Sequence, residues 1–248
     1  MSKTNFEKVI EFHLSFGAVS NTEFRDEILD DKKLVDLRIN LIDEEMKELK
    51  EAFKMNDFTE VRDAIGDIIY VINGMGVSFG FNIDKYYNKL YNIKNSSSIF
   101  ENVKVLYRSF DKINREDIFN SKRVTYLLKT MDNLFIKQKD SILSKNKSDI
   151  MLYTIHLINH IYLMGYVFNI DVDDDFRLIH ESNMSKLCRT KDSALQTVQK
   201  YEKNYKDGNS PYDSPAYKLS DNGEYYVVYN KSTNKVLKSI NYSPVKLL

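Results

Sequence analysis

Between about residues 33 and 79 the chain carries two long apolar stripes of helical period, separated by a short polar connector. Helices joined that closely pack antiparallel and share one core. At about 100° per residue, Leu34, Val35, Leu37, Leu41, Ile42, Met46, Leu49, Ala52 and Phe53 cover one arc of the first helix. Asp36, Asn40, Asp43, Lys47, Lys50 and Lys54 cover the opposite arc. Glu45 and Glu48 fall inside the apolar arc and Glu44 at its edge. An ionised carboxylate turned toward a core is costly unless it is paired or holds a metal. The second helix has a core stripe of Val61, Ala64, Ile65, Ile68, Ile69, Ile72 and Met75, with Glu60, Asp63 and Asp67 in line on another face. Like charges at these spacings repel. Two such rows facing each other, with no basic residue on those faces, call for a cation, and an all-oxygen donor set favours Mg²⁺ or Mn²⁺ over Zn²⁺. The plainer reading, acids on solvated Lys/Glu-rich helices, accounts poorly for Glu45 and Glu48.

The rest of the chain reads as all-α with a small C-terminal β-hairpin. Helices are expected over 5–16, 33–55, 58–79, 83–93, 99–113, 116–139, 148–168, 174–188 and 191–205, with Asp57 as an N-cap. The stretch 207–222 is rich in Gly, Ser, Pro and Asp, and 224–229 and 235–242 alternate like paired strands. Asn95-Ser96-Ser97-Ser98 marks the best boundary. Three parts are expected: a catalytic helical half at 1–94, a second helical half at 95–206, and an extension at 207–248. A weak repeat joins the halves, since Phe81-Asn82-Ile83-Asp84 returns as Phe168-Asn169-Ile170-Asp171. That spacing sets Asp67 against Thr154 and Glu48 against Phe135.

Charge and composition narrow the function classes. Lys+Arg and Asp+Glu balance at 36 each, which gives no reason to expect a nucleic-acid binder. The single cysteine, Cys188, excludes an intrachain disulfide and fits a reducing compartment. With no apolar leader and no membrane span read, a cytoplasmic location is expected, the host cytoplasm for a phage or viral protein.

Arg38 to Leu49, with Asp43-Glu44-Glu45-Met46-Lys47-Glu48 at its centre, resembles the EExxE helix of the all-α NTP pyrophosphatases. That superfamily includes MazG, the phosphoribosyl-ATP pyrophosphohydrolases and the dimeric dUTPases. Glu60 to Val71 resembles its second acidic helix, and Phe12-His13 to Phe16-Gly17 its N-terminal stretch. His180-Glu181-Ser182-Asn183-Met184-Ser185-Lys186 is similar to a segment of the phosphoribosyl-ATP-pyrophosphohydrolase-like branch, phage proteins included, and Lys235–Lys238 with Tyr242-Ser243-Pro244 to the tail that follows it. Two departures stand out. The family's ExxD motif finds its Asp at Asp67 but Ala64 at the Glu position, and some 65 residues (about 85–150) separate parts that short members hold close together. A chain carrying both halves of a dimer explains the second departure.

The resemblance implies Mg²⁺-dependent hydrolysis of a nucleoside triphosphate to the monophosphate and pyrophosphate. It implies metal ligands at Glu45, Glu48 and Asp67, with Glu44 and Asp63 next and Glu60 beside them. Glu45 is the candidate to orient or deprotonate a water, and Asn183 and Lys186 to contact substrate. A monomeric pseudodimer or a homodimer is expected. Two alternatives stay open: a catalytically inactive nucleotide binder, and a helical protein-interaction module. His156 and His160 have a zinc-compatible i, i+4 spacing without an HExxH glutamate, so packing histidines are expected there.

Overall fold

The computed structural model describes residues 3–93 and 98–247. The expected boundary at Asn95–Ser97 lies outside the described residues. In chain order the elements are α1 (Asn5–Phe16), α2 (Lys32–Met55), α3 (Phe58–Phe79), α4 (Ile83–Leu90), α5 (Ile99–Leu106), α6 (Lys122–Leu143), α7 (Lys147–Val167), α8 (Val172–Met184), α9 (Lys191–Lys206), β1 (Pro215–Leu219) and β2 (Tyr226–Asn230). Short 3-10 turns precede α2 at Asp26–Asp30 and α6 at Arg115–Asn120.

The chain divides into two compact units. One comprises the described residues of Met1–Val9, Ser20–Arg177 and Leu247–Leu248, and the other Ile10–Val19 and Leu178–Lys246. In the first, α2 and α3 form one antiparallel hairpin and α6 and α7 another, with α3 also packed on α7. Local chemistry sets the ends. Asp57 accepts from the backbone N–H groups of Thr59 and Glu60 to start α3, and Gly80 closes it at φ +80°. Among the described residues α7 is long and apolar enough to cross a bilayer, and 67% of its apolar window is buried within the fold. A helix apolar all round is what a core position demands.

The two hairpins are built alike. Left-handed Asn56 and Lys145 end α2 and α6; Asp57 and Asn146 cap α3 and α7; left-handed Gly80 and Asn169 follow α3 and α7. Every pair is 89 residues apart. At the same spacing Gly76 lies under Ile83 and Gly165 under Val172, each with no room for a Cβ. The caps therefore correct the repeat register by two residues from the expected 87, because the Phe-Asn-Ile-Asp strings fall at different points of their turns. Asp67 now matches His156, and Glu48 matches Lys137.

The contacts repeat as well. The Tyr87 hydroxyl on α4 donates to Asn159 on α7 at 2.8 Å, and Phe176 on α8 stacks on Tyr70 of α3. Adding 89 to Tyr87 and Tyr70 gives Phe176 and Asn159, so exchanging the hairpins maps one contact onto the other. That reciprocity is the signature of a twofold relation. Lys50 of α2 bonds Asp132 of α6 at 3.0 Å. Their images, Lys139 and Asp43, keep the residue types, although Asp43 pairs with its own neighbour Lys47.

In the second unit α9 packs on the β1–β2 hairpin. One apolar cluster joins Cys188, Ala194, Val228 and Leu237, and another Phe16, Leu187 and Val227. The hairpin is present but its strands differ from expectation. β2 pairs antiparallel with Pro215–Leu219, inside the stretch rich in Gly, Ser, Pro and Asp, and Lys235–Leu237 adds a short bridge on its other side. Pro215 is tolerated as the first residue of an edge strand. Several helix ends also shift. α8 stops at Met184 because Cys188 leaves to exchange backbone bonds of 2.9 and 2.8 Å with Tyr226. α5 stops at Leu106, and Ile113 donates to the Val167 carbonyl at 2.9 Å. α4 stops at Leu90, with Asn92 left-handed at φ 53°.

A Cβ on Gly80 would sit 2.2 Å from the Glu23 carbonyl oxygen, in a left-handed conformation. Gly80→Ala is expected to destabilise the protein by about 2 kcal/mol or more, measured as the shift in urea midpoint at unchanged slope.

Candidate functional site

The α2–α3 hairpin places its acids at matched heights. Counting about 1.5 Å per residue from the turn at Asn56–Asp57, Asp63 and Glu48 lie about 10–13 Å along, and Asp67 and Glu45 about 16–17 Å. Glu45 is half-buried, and its Oε2 has no hydrogen-bond partner among the described residues. Burial pushes its carboxyl up to about 7, and the charges of Glu48, Glu44 and Asp63 add to the effect in that order. Asp63, also half-buried, is raised by burial and then by Glu60, Glu48 and Asp175. Glu44, Glu45, Glu48, Glu60 and Asp63 thus share one field. Asp67 is half-buried one turn beyond Asp63 on the same face.

Two expectations about placement change. Glu48 is exposed rather than set within the apolar arc, as is Glu44 at its edge. The buried stripe of α2 centres on Val35, Ile39, Ile42, Met46 and Leu49, so Glu48 falls beside it and Leu37 turns out, 49% exposed. The residue that the stripe does bury is Arg38, 7% exposed.

The cluster fits a divalent cation in its donor chemistry. It offers hard carboxylate oxygens, one orphaned buried oxygen, and a repulsion that a bound cation relieves. Among the described residues no group of three or more Asp, Glu, His or Cys converges closely enough to hold an ion as the side chains stand.

Sequence reasoning missed the ion pair beside the cluster. Arg62 of α3 grips Asp175 of α8 with two bonds, Nε–H to Oδ2 at 2.9 Å and an Nη2–H to Oδ1 at 2.6 Å. The Asp175 side chain is 3% exposed. Planar bidentate pairing of this kind holds geometry as well as charge. It keeps Asp175, one more negative charge, near Asp63. No local pattern could have joined residues 113 apart.

Asn183 and Lys186 belong to the second compact unit, where Lys186 Nζ donates to Asn183 Oδ1 at 2.6 Å. His160 Nδ1 lies 2.7 Å from the His156 carbonyl of its own helix. Cys188 is fully buried, with Sγ 3.5 Å from Thr197 Oγ1.

The family pattern of phosphoribosyl-ATP pyrophosphohydrolase matches residues 9–93, which contain α2, α3 and the whole acidic cluster. An uncharacterized protein of Acanthamoeba polyphaga mimivirus is 32% identical over 247 residues, covering 95% of this chain and 91% of its own length. The likeness to it therefore runs through both hairpins and the C-terminal extension. No solved structure matches.

The raised Glu45 carboxyl has a consequence for the metal-free protein. Between its ordinary value of 4.5 and about 7 the folded state keeps a proton that the unfolded chain releases. The folded state then binds more protons, so stability falls as pH rises through that window and levels off above it. Glu45→Gln is expected to flatten this slope, measured by urea unfolding in a chelator across about pH 4.5 to 7.5.

Proposed function

Because the chain belongs to the phosphoribosyl-ATP pyrophosphohydrolase family, part of the MazG-like superfamily, we propose that it hydrolyses a nucleoside triphosphate to the monophosphate and pyrophosphate, with Mg²⁺ at the α2–α3 carboxylates. The observation that carries this reading is the half-buried, unpartnered Glu45 oxygen among carboxylates of the same sign. A bound Mg²⁺ supplies charge neutralisation at phosphate oxygens and acidifies a water. Glu45, Glu48 and Asp67 would hold it, with Glu44 and Asp63 beside them and Glu60 at the margin. Glu45, half-buried with one oxygen free of hydrogen bonds, is the carboxylate assigned to orient or deprotonate the attacking water. The Arg62–Asp175 pair is a positioning device, fixing the start of α8 against α3. Asn183 and Lys186 are assigned to substrate on the resemblance alone.

The second hairpin keeps the scaffold and, apart from Asp149 at the image of Glu60, lacks the carboxylates. At 89 residues' spacing Glu45, Glu48, Asp63 and Asp67 become Leu134, Lys137, Leu152 and His156. One metal site per chain follows.

A nucleotide binder without turnover is the second reading, favoured by the unconverged carboxylates. The two separate by experiment. Pyrophosphate and monophosphate release is followed over a panel of NTPs and dNTPs, with and without Mg²⁺. Turnover that needs Mg²⁺ and falls by about 100-fold or more in Glu48→Gln supports the enzyme. A Mg²⁺-dependent rise in melting temperature with a nucleotide analogue, without turnover of any of them, supports the binder.

A further inference from the structure

Arg38 is a charged residue in a place that packing alone fills with an aliphatic one. It lies in the buried stripe of α2, 7% exposed, among Leu34, Val35 and Ile42. Its Nε is unpartnered, and it makes no hydrogen bond or ion pair among the described residues. Burial alone pulls its pKa down, to about 10, with no acid near enough to oppose the shift. At the matching point of the second hairpin stands Leu127, equally buried at 6% exposure. The fold is therefore satisfied by leucine here. A buried guanidinium nitrogen without a partner costs stability, which points to a ligand as the partner.

The height of Arg38 says which part of a ligand. It lies seven residues before Glu45, within about 20° of it on the helix and about 10.5 Å further from the turn. Glu45 and Arg38 are too far apart to satisfy each other, and the charges acting on Glu45 are all carboxylates. With phosphates at the carboxylate level, a group about 10 Å away along the same face is the base of a nucleotide. The surroundings agree, since an apolar wall suits the faces of a base, with one polar group to read its edge.

We propose that Arg38 is the base-reading residue of the nucleotide site and selects an oxo base, a carbonyl oxygen of guanine or uracil lying in its fork. The assignment rests on the nucleotide reading above. Arginine has only donors, so where guanine presents O6 and uracil O4, the exocyclic amino group of adenine or cytosine meets it donor to donor.

Binding without turnover tests this. Non-hydrolysable triphosphates of guanine, uracil, cytosine and adenine, with inorganic tripolyphosphate as the base-free probe, are titrated calorimetrically in the presence of Mg²⁺. The wild type is expected to prefer an oxo base. Arg38→Leu is expected to fold with a higher melting temperature, to weaken the preferred nucleotide about 10- to 100-fold, and to bind tripolyphosphate unchanged. An amino-base preference, an unaltered nucleotide affinity in Arg38→Leu, or an equal loss for tripolyphosphate overturns the assignment while leaving the nucleotide site standing. Failure of the wild type to bind any of these ligands overturns both.

Discussion

The burial of α3 holds the first compact unit together. It packs on α2 along one side and on α7 along another, and nearly every residue from Ala64 to Phe79 is buried apart from Asp67 and Val71. That packing fixes the heights of α2 and α3 relative to their common turn. The acids on the two helices therefore cannot draw apart to relieve their repulsion. Burial raises Glu45 and Asp63 first, and the neighbouring charges add to it. The site is thus a by-product of the core: apolar contact supplies the energy that assembles a cluster unfavourable in itself. A cation bound there would return part of that energy, coupling ligand and fold.

The second hairpin shows what the scaffold needs when it carries no such cluster. Its helices keep the left-handed ends, the asparagine cap and the glycine under the next helix. What changes is the set of residues that the core does not require. Glu45 gives way to Leu134 and Arg38 to Leu127, both at positions where an aliphatic side chain packs without charge. Differences between the halves separate residues kept for folding from those kept for something else. They do so within a single chain and under one set of conditions.

Much of this was legible in the sequence because it is local. Asp57 as a cap, Gly80 as a stop and the apolar periods of α2, α3 and α7 are short-range signals, and the helices fall where those signals put them. The acidic rows were legible for the same reason. Exposure was less so, because the wheel gives angles and not the direction of the core. Packing chose a stripe rotated toward Ile39 and Met46, which left Glu48 outside and drew Arg38 in. The Arg62–Asp175 pair and the β1–β2 pairing depend on residues far apart in sequence, where local pattern carries no information. β2 found its partner upstream while Lys235–Leu237 kept a fragment of the expected pairing on its other edge.

The Lys50–Asp132 bridge has a wider meaning when set beside its image. In a homodimer every substitution is made twice, and a contact across the axis must suit both copies at once. Here the two ends are encoded separately. Lys50 bonds Asp132, while Asp43 has turned to Lys47 within its own helix. With both halves in one polypeptide each position is free of its twin, so selection can act on one side of the axis without penalty on the other. Leu134, Lys137, Leu152 and His156 in one hairpin, against Glu45, Glu48, Asp63 and Asp67 in its neighbour, are a difference that two identical subunits could not carry.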